Sequence, residues 1–137
     1  MSYASQSTSY REMEFHAASP ERLVVIVFEQ LVVNLERARV VMERRDLRDT
    51  KDLEVRVTSL RRARSLVGEL LATLDFEKGG RIAVQLADLY QYILYELVDI
   101  GQRGDIVTMK KLVNIASALR DGFTGAAEQL VTHRKSA

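Results

Sequence analysis

The chain has 137 residues, 47% hydrophobic and 28% charged, with a net charge of +1. That length supports one domain with a sizeable core. The near-neutral charge excludes a global field for nucleic acid or anionic lipid, and the absence of cysteine excludes disulfides, thiol catalysis and thiolate metal sites. One proline and seven glycines point to long helices. No apolar run approaches the ~20 residues of a membrane span, and the opening MSYASQSTSY lacks the basic and apolar regions of a signal peptide.

Residues 1–18 are polar and Ser-rich, with Tyr3, Tyr10, Met13 and Phe15 spaced along them. Such a segment cannot build its own core, which predicts a mobile N-terminal arm. Its aromatics are either incidental to a frayed terminus or are laid into a groove on the folded domain, expected over residues 19–132.

The first helix is predicted over 20–44. Ser19 suits the N-cap, Pro20 the first helical position, and Glu21 the positive end of the helix dipole. Leu23, Val24, Val27, Phe28, Leu31, Leu35, Ala38, Val41 and Met42 share one face. Ile26, Val33 and Val40 recur every seven residues on roughly the opposite side. They are either scattered surface aliphatics or a second contact line.

The second helix is predicted over 50–75, capped by Asp49 or Thr50. Its stripe runs through Leu53, Val57, Leu60, Ala63, Val67, Leu70, Leu71 and Leu74. Arg64 falls inside that stripe and must either snorkel out or pair with a carboxylate. Arg61, Arg62 and Arg64 form a basic cluster without the Gly-rich loop or broad basic surface of a phosphate or nucleic-acid site.

Gly79-Gly80 is expected to turn the chain into a third helix over 81–101. Ile82, Leu86, Leu89, Ile93, Leu97 and Ile100 share a face, widened by Ala83, Ala87, Tyr90, Leu94 and Val98 to about half the circumference. Tyr92 and Tyr95 fall outside it. Gly101 and Gly104 bracket the end, and Asp105 caps a fourth helix over 105–131. There Met109, Leu112, Ala116, Leu119, Phe123, Ala126 and Leu130 keep a coiled-coil period. Small residues such as Ala118, Gly122 and Gly125 permit close helix approach. Residues 133–137 read as a disordered tail.

Four amphipathic helices on short links predict an all-α, antiparallel up-down-up-down four-helix bundle. Leu31, Leu60, Val67, Leu86, Ile93, Leu112 and Leu119 are its expected core. Catalysis finds no support. His16 and His133 sit near the ends, without the Glu-x-x-His pairs of a carboxylate-bridged metal bundle, and no nucleophile elbow is present. No enzyme activity, cofactor or metal is expected.

The apolar breadth of the third helix calls for a partner. Tyrosine suits a contact surface, because its ring supplies apolar area while its hydroxyl stays wet. This assigns Val84, Tyr95 and Val98, with Ile26 and Val33 from the first helix, to partner contact. Tyr90 lies deeper, as core or groove floor, and Phe123 reads as core.

The chain resembles the flagellin-specific export chaperone family, FliS, in an ordered series of fragments. Tyr10 precedes Ala18-Ser19-Pro20-Glu21-Arg22-Leu23, similar to the family's Tyr and Ala-Ser-Pro-x-x-Leu opening. Phe28-Glu29 sits where the family has an aromatic and then Asp. Arg62-Ala63, Leu66-Val67 and Glu69-Leu70 follow its second-helix pattern. Leu74 to Gly80, and Leu86 through Leu89-Tyr90-x-Tyr92, match its most specific stretch; Arg103-Gly104-Asp105 stands near its pre-helix Asp. Arg81, Gln85, Gly104 and Phe123 depart from the usual acidic residue, Asn, Asn and Trp.

The resemblance implies a cytoplasmic chaperone that holds the disordered C-terminal segment of flagellin, prevents premature polymerisation and delivers it to the flagellar type III export apparatus. It implies that Tyr10 contributes to docking at the export gate, and that the arm carrying Tyr10 and Phe15 rests on the bundle and rearranges with client. Neither nucleic acid nor membrane insertion is implied. Self-association of the free protein stays open. The alternative is an oligomeric helical-bundle adaptor or regulator that uses the same surfaces without chaperone activity.

Overall fold

The computed structural model of the chain describes residues 20–44 and 49–136, with side chains as far as Gln129. Four helices follow one another: α1 (Pro20–Arg44), α2 (Thr50–Ala72), α3 (Phe76–Arg103) and α4 (Ile106–Ser136). α1 packs along α2 and α4, and α3 packs along α2; α3 meets α4 over a shorter stretch. The helices form the expected up-down-up-down bundle, with α1 and α3 on one diagonal. The N-terminal arm with Tyr3, Tyr10 and Phe15, and the cap at Ser19, lie outside the described residues.

Aspartates set three of the helix starts. Asp49 accepts from the amides of Lys51 and Asp52 at 2.9 and 3.3 Å. Asp75 accepts from Glu77 and Lys78, both at 3.0 Å. Asp105 accepts from Val107 at 3.0 Å, and its second oxygen takes the Thr108 hydroxyl at 2.6 Å. Each satisfies amides that have no partner inside the first helical turn. These bonds, those from Thr108 first, hold the Asp105 carboxyl below the usual aspartate range.

The α2–α3 junction differs from the expected one. α2 stops at Ala72, where Thr73 caps it through backbone bonds to Glu69, Leu70 and Leu71. Leu74 and Asp75 then reverse the chain, and helix resumes at Phe76, ahead of the glycine pair. Gly80 breaks this helix with φ 51° and ψ −125°, a left-handed backbone that favours glycine, so a short turn at 76–79 precedes the main run of α3 from Arg81, the expected start. The strong cap at Asp75 captures the first turn of α3 before the glycines are reached. At the other end α4 runs to Ser136, past the expected boundary at 131 and through most of the expected tail. No Gly or Pro follows Gly125 to stop it.

The core is one contiguous cluster. It joins Phe28, Leu31 and Leu35 of α1, Leu60, Ala63 and Val67 of α2, Tyr90, Ile93 and Leu97 of α3, and Met109, Leu112 and Ala116 of α4. Each fully buried Leu contributes roughly 1.5–3 kcal/mol of transfer free energy. Phe28 stacks on Phe123 of α4 with centroids 5.0 Å apart, and tilts against Tyr90 of α3 at 6.3 Å. One α1 ring thus ties three helices together. Leu86 and Leu119, expected in the core, are half-buried and pack against its edge. The α4 seam thins after Phe123, and Ala126 is exposed.

Ion pairs fasten the bundle near the end of α1. Arg39 reaches Glu43 at 3.0 Å, and Glu43 meets Lys110 of α4 at 3.2 Å. The Lys110 ammonium, with Arg39 behind it, holds the Glu43 carboxyl below the usual range. Arg44 reaches Asp52 of α2 at 3.3 Å.

Candidate partner-binding surfaces

Among the described residues, apolar surface stays open on α3, between α1 and α2, and above Tyr90. One such face lies on α3. Val84, Tyr95 and Val98 fall on one outward face, with Asp88 and Gln91 between them. They are 51%, 71% and 51% exposed. A helix touching α2 along one side and α4 over a short stretch cannot hide half of its circumference. The Tyr95 hydroxyl stands in water while its ring offers apolar area.

The second opening is a groove of about 550 Å³ between α1 and α2, with Val33, Val40 and Val55 along it and Glu36, Arg37 and Arg44 on its rim. Val33 and Val40 are about two-fifths exposed. Ile26, the third member of that line, is only 5% exposed and lies outside the contiguous core cluster. The line is therefore open only toward the C-terminal half of α1. Val55 completes the groove and was not legible as a contact. A single aliphatic between charged residues carries no period of its own, and only the α1–α2 pairing brings it to Val33.

The third opening, about 320 Å³, is floored by Tyr90 and Phe123 and bordered by Val24, Leu74, Ile82 and Leu86. Tyr90 is 2% exposed, so it is core and cavity floor at once. Its burial pushes the phenol up to about 12. Beside it on α3, Tyr92 faces α4, where the Lys111 ammonium lies 5.7 Å from its ring centroid.

Two corrections follow. Leu53, Val57 and Ile82, expected inside helix stripes, are among the exposed large apolar residues. All three line openings between helices: Leu53 and Val57 beside Val41 and Gly101, and Ile82 beside Val24 and Leu74. The assigned contact residues lie on two surfaces. Val84, Tyr95 and Val98 point outward from α3, and Val33 points outward from α1, on the opposite corner of the bundle. Tyr10 and Phe15 lie outside the described residues.

Among the described residues no group of three or more His, Asp or Glu side chains is placed to hold a metal ion. No described helix is long and apolar enough to cross a membrane.

The family pattern described as flagellar protein FliS matches residues 2–130. The chain belongs to the FliS family. Curated relatives agree along most of its length. The flagellar secretion chaperone FliS of Salmonella typhimurium is 29% identical over 78% of this chain and 76% of its own. The flagellar secretion chaperone FliS of Campylobacter jejuni is 26% identical over 84% of this chain and 85% of its own. FliSB of Pseudomonas aeruginosa, also a flagellar secretion chaperone, is 26% identical over 83% and 86%. This FliS-family chain therefore carries its open apolar faces in a fold whose relatives are secretion chaperones.

Proposed function

We propose that this chain is a flagellar export chaperone that binds the disordered C-terminal segment of flagellin in the cytoplasm. It blocks premature polymerisation and delivers the client to the flagellar type III export apparatus, without catalysis or cofactor. Family membership supplies the class of activity. The single observation that carries the binding mode is the open face of α3, with Val84, Tyr95 and Val98 half or more exposed. An amphipathic unfolded segment can bury its apolar stripe there and order as it binds, at an entropic cost that keeps release accessible.

Because Val33 and Tyr95 lie on opposite corners, the proposal divides the client contact in two. One part of the client lies on α3 at Val84, Tyr95 and Val98. Another reaches the α1–α2 groove at Val33 and Val40, beyond the buried Ile26. Tyr90 floors the third cavity within reach of the same wrapping path. Tyr10 and Phe15 join through the family resemblance, Tyr10 for docking at the export gate.

A pull-down from native cytoplasm tests this reading. Full-length flagellin is expected in the eluate, and flagellin lacking its C-terminal segment is expected in the flow-through. Equal recovery of both overturns the assignment of the client segment. A stable oligomer by size exclusion with light scattering, with no flagellin recovered, favours the adaptor reading instead.

A further inference from the structure

A cavity of about 800 Å³ lies at the end of the bundle where α2 begins and α3 ends, and neither Val84 nor Tyr95 lines it. Its walls are of two kinds. Leu53, Val57, Leu60 and Ile106 make an aliphatic floor, and Leu53 and Val57 are 48% and 54% exposed. Arg56, Arg64 and Arg103 stand around it, with Asp52 the carboxylate among them.

Among the described residues the charges lining the cavity do not cancel. Asp52 is engaged by Arg44 at 3.3 Å, from outside this cavity. Arg103 is engaged by Asp99 at 3.1 Å. Arg56 gives one guanidinium nitrogen to the Ile100 carbonyl at 3.1 Å, a neutral acceptor that leaves its charge in place. Arg64 is half-buried in the apolar stripe of α2, and makes no ion pair among the described residues. Its stem packs in the stripe while the guanidinium stays open to solvent, which leaves the charge available to a ligand.

We propose that this cavity binds a short acidic segment of a partner protein. An aliphatic side chain of the segment seats against Leu53, Val57 and Leu60, and an adjacent carboxylate pairs with Arg64 and Arg56. Guanidinium forks suit carboxylates in a bidentate geometry, and the volume lies in the range of sites that enclose a small ligand group. Charge complementarity selects the acidic partner. The walls select peptide over nucleic acid, because no aromatic ring lines the cavity for a base to stack on. Its lining includes none of Val84, Tyr95 and Val98.

The test uses the full chain and a fluorescein-labelled octapeptide of alternating leucine and aspartate, with its leucine–asparagine counterpart as the uncharged control. The aspartate peptide is expected to bind saturably, at least tenfold more tightly than the asparagine peptide, and to weaken as salt is raised. Arg64→Gln is expected to lose at least tenfold in affinity, Arg64→Lys less. Val57→Asp alters an exposed position and is expected to abolish binding without unfolding the bundle. Tyr95→Asp is expected to leave peptide binding intact, separating this site from the client face. Equal binding of the two peptides, no saturable binding of either, or unchanged affinity in folded Arg64→Gln and Val57→Asp overturns the proposal.

Discussion

Arg56 on α2 donates a hydrogen bond of 3.1 Å to the carbonyl oxygen of Ile100, in the last turn of α3. The same carbonyl accepts the Gly104 amide at 2.8 Å. Gly104 has φ 68°, and a Cβ added there would lie 3.2 Å from the Arg56 guanidinium. Backbone conformation and side-chain crowding both select glycine. Gly104→Ala is expected to destabilise the fold by about 1–2 kcal/mol, the cost of a left-handed L-residue. Gly104→Asn should cost less, because asparagine visits that region more readily. Urea denaturation of the three proteins checks the order Gly, Asn, Ala.

Core truncations should separate full burial from edge packing. Leu31, Leu60 and Leu112 are at most 2% exposed. Leu31→Ala, Leu60→Ala and Leu112→Ala are each expected to cost about 2–5 kcal/mol. Leu86→Ala and Leu119→Ala should cost less, since both side chains already meet solvent. Denaturation midpoints at constant m-value report the difference.

The two client faces can be separated by single substitutions. Tyr95→Asp and Val33→Asp each place a charge on an exposed position, so neither should move the thermal midpoint much. Each is expected to weaken binding of the flagellin C-terminal segment, and the double variant by at least tenfold, about 1.4 kcal/mol. Isothermal titration with each single variant shows whether the client spans both corners. Unaltered affinity in Val33→Asp would confine it to α3.

Tyr90 predicts an alkaline limit to stability. Burial raises its phenol to about 12 in the fold, against about 10 for an unfolded tyrosine. A raised folded pKa means that the fold prefers the neutral ring. That contribution is fully present below about pH 10 and is lost as the pH climbs toward the folded value. Tyr90→Phe should flatten this part of the stability profile. Phenolate absorbance should show one tyrosine of the wild type ionising late, and that late step should be missing in the variant.

Gly122 and Gly125 on α4 have open space around an added Cβ. Alanine at either position should raise stability by up to about 1 kcal/mol, the helix-propensity difference. If a client helix approaches this strip closely, the same variants weaken client binding while raising the melting temperature. Thermal unfolding and titration on one preparation read both effects.

Local chemistry alone determined much of this protein. Asp49 and Asp105 cap helices because a short carboxylate reaches free amides wherever a helix begins. Gly104 ends α3 because the chain needs a left-handed residue there. The seams through Leu31, Leu60, Ile93 and Leu112 follow from helical period, and the ordered family fragments from Tyr10 to Asp105 carry the class of activity. All of these depend on neighbours a few residues away.

Tertiary structure decided what depends on distant neighbours. Ile26 and Val33 repeat with one period, yet only Val33 is open. Leu53, Val57 and Ile82 fit their stripes, yet they line openings that the facing helices leave between them. Val33 and Tyr95 have the same apolar character, but the diagonal placement of α1 and α3 turns them to opposite corners. Arg64 was ambiguous in its stripe until α2 and α3 enclosed a cavity beside it whose carboxylate, Asp52, is engaged by Arg44. Periodicity gives the direction of a side chain about its own helix axis, and only the packing of four axes decides what stands in front of it.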